Sequence, residues 1–196
     1  MTGHGFVLFG TAIGCCGIAW GANGVVGVQL PERHDRAMRD RLRRRFPDAS
    51  EAEPPPDIQL AVDSIAALLR GEARDLSFVT LDMAGIPPFR QSIYAALRGI
   101  PAGTTLSYGE IAIRLGDGST ARDVGEAMGK NPFPIIVPCH RVVAAGGKAG
   151  GFSAPGGVTT KLRLLNLERA RVGEAPTLFG ELPLSVRPGR ARWQPG

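Results

Sequence analysis

The chain has 196 residues and 20.7 kDa, 43% hydrophobic and 21% charged, the proportions of a folded protein with a sizeable core and not of a disordered chain. Its 23 basic and 18 acidic residues leave a formal charge of +5, which favours polyanions only weakly. Three cysteines, two of them the adjacent Cys15 and Cys16, exclude a disulfide scaffold and suit a reducing cytoplasm, and no paired Cys or His spacing predicts a metal.

From Gly5 to Pro31 no residue is charged, which by length alone could be a membrane helix. Seven glycines would weaken such a helix, and no Lys or Arg precedes it as in a signal peptide. The pattern predicts about three short strands over residues 6–30. Cys16, Ile18 and Trp20 alternate, as do Val26, Val28 and Leu30, and Asn23-Gly24 between them is a hairpin signal. Residues 31–46 predict a helix with seven arginines between Arg33 and Arg45, interleaved with Glu32, Asp35 and Asp40. Read alone it is a solvated helix face in preference to a nucleic-acid patch. Residues 48–57, with Pro54-Pro55-Pro56, predict a loop. Residues 58–70 predict a helix with the stripe Leu60, Val62, Ile65, Ala66, Leu68 and Leu69, stopped by Gly71. Residues 76–81 predict a short strand. Together these make an α/β unit over residues 1–86.

The second unit is mostly helical. Residues 88–98 predict a helix with apolar Phe89, Ile93, Ala96 and Leu97, ended by Gly99. After a turn at Pro101-Ala102-Gly103, Ser107 and Glu110 form a capping-box pair that starts a helix over 108–115. Gly116-Asp117-Gly118 breaks it, and Ser119 or Thr120 caps the next helix, which runs to about Met128. Two short helices around a glycine turn suggest a helix-turn-helix, whose second helix would enter a DNA groove. Arg122, near its start, could reach the base stack, although spacing alone makes it a surface arginine.

The segment Asn131-Pro132-Phe133-Pro134-Ile135-Ile136-Val137-Pro138-Cys139-His140-Arg141-Val142-Val143 carries the chemistry. A cysteine is nucleophilic as the thiolate, which an adjacent imidazole and guanidinium could favour. A base needs an orienting partner, and Glu168, on a predicted helix over 160–170, is a candidate. The residues alone leave a second reading open, a buried inert cysteine after an apolar run. Neighbouring side chains on a strand would also point to opposite faces.

This segment resembles the active site of the O6-alkylguanine-DNA alkyltransferases (methylated-DNA–protein-cysteine S-methyltransferases). The likeness runs back through Gly103–Ala112 and Ala121–Met128, and forward through Gly151-Phe152-Ser153 to Lys161–Glu168. It implies a ribonuclease-H-like α/β module over 1–86 and a DNA-binding, alkyl-acceptor domain over 87–170 with a winged-helix-like helix-turn-helix. An extended or disordered tail would follow over 171–196. It implies no cofactor, a monomer, and alkylated double-stranded DNA bound through the minor groove with the damaged base flipped out. Cys139 would accept the alkyl group once per molecule. His140 would deprotonate it through a water, Glu168 would orient His140, Asn131 would hold the active-site turn, and Tyr108 would protonate the leaving guanine. Arg122 would fill the gap in the base stack, with Ala121, Ser107 and Arg141 also at the DNA. Pro134, Val142, Phe152, Ser153 and Met128 would line the base pocket, the Ser153 N–H stabilising the departing oxygen. Ala154-Pro155 looks like a two-residue insertion at the pocket lip, and Phe152 stands where some relatives carry Tyr. Relatives that only sense lesions carry Trp in place of the cysteine, so the intact Cys139 favours transfer over sensing.

Overall fold

The structure is a computed structural model and describes residues 4–170; the predicted tail lies outside the described residues. The uncharged N-terminal stretch is an antiparallel meander of β1 (Gly5–Thr11), β2 (Gly14–Gly21) and β3 (Gly24–Gln29). Among the described residues no helix is long and apolar enough to cross a membrane. A short β4 (Ser50–Glu51), inside the predicted loop, adds in parallel to β1 and makes a mixed sheet of order β3-β2-β1-β4.

The period-two pattern of β3 breaks at one point. Pairing slips between Ala19, opposite Gly27, and Trp20, opposite Val25, so Val26 is an extra residue on its strand. Val25, Val28 and Leu30 therefore enter the main core, while Val26 turns to a smaller cluster on the other face. Gly24 closes the hairpin at φ +117, and a Cβ there would sit 2.5 Å from the Thr80 carbonyl oxygen. Gly24→Ala is expected to cost about 2–4 kcal/mol through strain and overlap. Gly10→Ala, with open space around it, should stay within about 0.5 kcal/mol of wild type. Urea denaturation of both variants checks this; similar midpoints would contradict it.

Helix α1 (Asp35–Arg45) begins only at Asp35, where His34 Nδ1 accepts the Ala37 N–H and sets the start. It lays Met38 and Leu42 over one face of the sheet, close above Gly17 and Gly27, where any Cβ would strike Leu42 or Phe46. Several of its arginines are held locally, Arg39 by Glu51 and Arg41 by Glu32. Helix α2 (Pro56–Leu69) covers the other face through Ile58, Ala61, Val62, Ile65, Leu68 and Leu69. Leu60, placed in that stripe by the sequence, is 54% exposed. Residues 76–81 are not a regular strand, and only Leu81 pairs, as a single parallel bridge to Val25. Their turn is held by Arg98, which donates to the carbonyls of Leu76, Ser77 and Val79.

The C-terminal half is mainly helical: α3 (Pro88–Arg98), α4 (Tyr108–Leu115), α5 (Ala121–Gly129) and α6 (Gly157–Leu167). Capping boxes Ser107/Glu110 and Thr120/Asp123 start α4 and α5, and Gly116 ends α4 in the left-handed region. Phe89, expected inside, is exposed; α3 buries Ile93, Tyr94 and Leu97. A short parallel pair, β5 (Leu106–Ser107) and β6 (Val142–Val143), ties the start of α4 to the cysteine segment. The main core runs continuously through both halves. The Val28 N–H donates to Pro132 O, Arg45 donates to the Val28 and Pro132 carbonyls, and Arg163 reaches the Ala12 and Ile13 carbonyls.

Candidate functional site

Asn131 organises the approach to the cysteine. Its Oδ1 accepts the Phe133 N–H at 2.9 Å, and its Nδ2 donates to Val137 O at 2.9 Å and lies 3.4 Å from Cys139 Sγ. Within this loop Ile135 holds φ +77, a strained conformation for a β-branched residue. Pro138, at φ −79 and ψ 65, makes an inverse γ-turn in which the Cys139 N–H donates to Val137 O. Cys139–Arg141 then form one 3-10 turn, so the three side chains fan out from a helical turn and not from a strand.

The fan separates their tasks. Cys139 and His140 are buried, and His140 Nε2 lies 3.0 Å from Glu168 Oε1. Arg141 takes the same carboxylate in a fork, Nε to Oε2 at 2.9 Å and Nη2 to Oε1 at 2.7 Å, and gives Nη1 to Ile100 O. Arg141 was expected at the DNA; it is instead 7% exposed, its guanidinium spent on internal acceptors. Glu168 is not within α6 but caps its C-terminus, which puts its side chain, 4% exposed, beneath the cysteine turn.

Burial pushes the Glu168 carboxyl up, but the His140 and Arg141 hydrogen bonds and charges outweigh it and hold it at about 2. An ionised Glu168 accepts from His140 Nε2–H, which leaves the Nδ1 lone pair free; among the described residues that atom is buried without a hydrogen-bond partner. Burial lowers the His140 pKa, so the ring rests neutral at physiological pH. Burial raises the Cys139 thiol, against the Asn131 amide and the Lys161 charge. The resting pair is therefore thiol and imidazole, with a basic nitrogen available. Because the folded Glu168 value lies below the ordinary 4.5, its contribution is fully present above about pH 4.5 and lost as pH falls toward 2. The unfolding free-energy difference between wild type and Glu168→Gln should shrink by about 3 kcal/mol across that window. A difference independent of pH would contradict the assignment.

Lys161 is a site residue that sequence reasoning passed over. Its side chain is 0% exposed, and Nζ donates to Val142 O at 2.5 Å and Gly151 O at 3.3 Å. It also stands 5.9 Å from the centre of the Tyr108 ring. Burial lowers its pKa to about 8, against the pull of Cys139. Tyr108, half-buried at the first turn of α4, has its hydroxyl pKa raised by burial and then by Cys139. Among the expected pocket residues, Pro134 and Phe152 are half-buried, Val142 and Met128 lie in the core, and Ser153 is exposed on the loop before α6. Ala121 and Arg122 are exposed at the start of α5, and Ser107 caps α4. Cys15 and Cys16 lie in β2, and all three cysteines are free. Burial takes the Cys16 thiol up to about 12, so it is a poor nucleophile.

Residues 88–170 match the family model described as the DNA binding domain of 6-O-methylguanine DNA methyltransferase. A methylated-DNA–protein-cysteine methyltransferase of Methanothermobacter thermautotrophicus is 35% identical over 152 residues, 78% of each chain. One from Mycobacterium bovis is 47% identical over 119 residues, 61% of this chain and 70% of the relative. Among solved structures, Mycobacterium tuberculosis OGT in complex with DNA aligns with a TM-score of 0.67 and 35% identity, over 86% of this chain and 95% of that one. The O6-methylguanine-DNA methyltransferase of Pyrococcus kodakaraensis aligns at TM-score 0.64 and 27% identity, over 83% and 98%. With that breadth of likeness around an intact cysteine site, the chain belongs to the methylated-DNA–protein-cysteine methyltransferase family.

Proposed function

We propose that this chain repairs DNA by moving the alkyl group of O6-alkylguanine, and of O4-alkylthymine, onto Cys139 in a reaction each molecule performs once. The observation that carries this is a buried thiol beside a neutral imidazole whose one nitrogen is fixed by an ionised carboxylate and whose other is free. His140 Nδ1 takes the Cys139 proton through a bridging water. The Sγ lone pair attacks the alkyl carbon, an S–C bond forms, and the C–O6 bond breaks with its electron pair passing to guanine. Tyr108 protonates the guanine ring nitrogen, and the Ser153 N–H steadies the departing oxygen. Tyr108 recovers its proton from the solvent-exchanged pool into which His140 releases the thiol proton. The thioether has no leaving route, so the protein is consumed.

The target atom lies inside the duplex, so the base is flipped, at about a few kcal/mol. The α4–α5 pair serves as the helix-turn-helix of a winged-helix-like domain over 87–170. It meets the minor groove with Ala121 against the backbone and Arg122 in the vacated stack. Their exposure at the start of α5 supports this. Residues 1–86, with helices on both faces of a mixed sheet, serve as a ribonuclease-H-like module. The protein acts as a monomer in the cytoplasm, where free cysteines stay reduced.

Intact mass after incubation with a duplex bearing one O6-methylguanine tests the reading. One added methyl, saturating at one per protein and mapped to the Cys139 peptide, is expected. Lesion binding without a mass gain would overturn it in favour of lesion sensing.

A further inference from the structure

Lys161 is anomalous in the charge balance of the site. Around Cys139 stand His140 and Arg141 on its own turn, Glu168 at the end of α6, Tyr108 on α4, Tyr94 on α3 and Lys161 on α6. Glu168 and Arg141 cancel one another. His140 is neutral, and both tyrosines and the thiol rest protonated. Lys161 alone is left uncompensated: among the described residues no carboxylate pairs with it, and two carbonyl oxygens hold its ammonium in place. A neutral donor could bridge those carbonyls without the penalty of burying a charge. A buried cation without a resting partner is complementary to negative charge that appears later.

We propose that Lys161 is a positioning residue for alkyl transfer, a fixed positive charge that matches the negative charge arising first on Cys139 Sγ and then on the Tyr108 oxygen. The inference rests on the reading that Cys139 accepts the alkyl group. One ammonium serves both groups because both must give up a proton, the thiol before attack and the tyrosine as guanine leaves. Its place is set by the fold. The Val142 carbonyl ends the turn that begins at Cys139, Gly151 belongs to the loop before α6, and the Tyr108 ring stands alongside. Lys161 thereby links the nucleophile turn to that loop while its charge acts on the proton donors.

The test follows the thiolate ultraviolet absorbance of Cys139 against pH, taken as the difference between each full-length protein and its Cys139→Ser counterpart. Lys161→Met is expected to raise the midpoint by about one pH unit or more and to slow single-turnover methyl transfer at neutral pH roughly tenfold, with DNA affinity within about twofold of wild type. Lys161→Arg should restore most of the midpoint. A wild-type midpoint in Lys161→Met, with any rate loss explained by lost stability, would overturn the proposal and leave Lys161 a structural bridge. If Lys161→Met does not fold, the Lys161 Nζ titration by NMR decides. It should lie higher in wild type than in Cys139→Ser, and identical titrations would overturn the proposal. Wild-type methyl uptake is measured in parallel. Its failure would refute the transfer reading alone, because the titrations judge Lys161 independently.

Discussion

Glu168→Gln is expected to lower methyl transfer by roughly 10³–10⁴-fold and to destabilise the protein by about 3–5 kcal/mol. The carboxylate accepts from His140 Nε2 and from two Arg141 nitrogens, and its side chain is almost wholly buried. Glutamine keeps the shape but removes the charge. Its amide can offer a proton to His140 Nε2, which moves the imidazole proton to Nδ1 and removes the lone pair that the thiol needs. Arg141 is left a buried cation with only the Ile100 carbonyl as a strong acceptor. Single-turnover kinetics and urea denaturation measure the two losses separately. A variant that transfers methyl at near wild-type rate would show that His140 is not oriented through Glu168.

The second large effect is expected at Asn131. Asn131→Ala should destabilise by about 2–4 kcal/mol and slow transfer roughly 10²-fold. Its amide spans the active-site loop, accepting from Phe133 and donating to Val137 O beside the Cys139 sulfur. Without it, the Val137 carbonyl loses its side-chain donor and the strained Ile135 conformation loses the bonds that over-determine it. The sulfur then wanders from the line of attack, and the thiolate loses a donor that lowers its proton affinity. A full rate with reduced stability would mean that Asn131 only braces the loop.

Both effects concern residues found through the Cys139 segment, and the sequence carried much of what surrounds it. The helix over 88–98, the Ser107/Glu110 capping box, the Ser119-or-Thr120 cap and the three N-terminal strands were legible because their signals act over a few residues. A proline start, a Ser or Thr accepting the N–H three positions on, and a Gly at positive φ need no distant partner. Where a long-range contact decided the outcome, the local signal failed. Leu60 and Phe89 fit an apolar stripe by spacing, yet face solvent, because α2 turns Ile58, Ala61, Val62 and Ile65 inward and α3 turns Ile93, Tyr94 and Leu97 inward. Residues 76–81 have strand-like composition, but Arg98 takes the Leu76, Ser77 and Val79 carbonyls, and only the end of the segment pairs, as a single bridge of Leu81 to Val25. Val26 lost its place in the alternation to a bulge defined only by pairing with β2.

The same division holds within the site. The sequence by itself offered Cys139, His140 and Glu168 as one candidate set, and the resemblance of its Asn-Pro segment added Asn131. Only the tertiary structure decided that Arg141 turns inward to Glu168, 27 residues away, and that Lys161 lies on Val142, 19 residues away. One signal was present: Lys161, Leu164 and Leu165 share a buried face of α6, and Glu168 follows at its C-cap, so two charged groups flank an apolar stripe. The pattern alone could not say which charge answers which. Charges act over distances that the chain path does not encode, and a buried ion is tolerable only beside partners that folding brings from elsewhere.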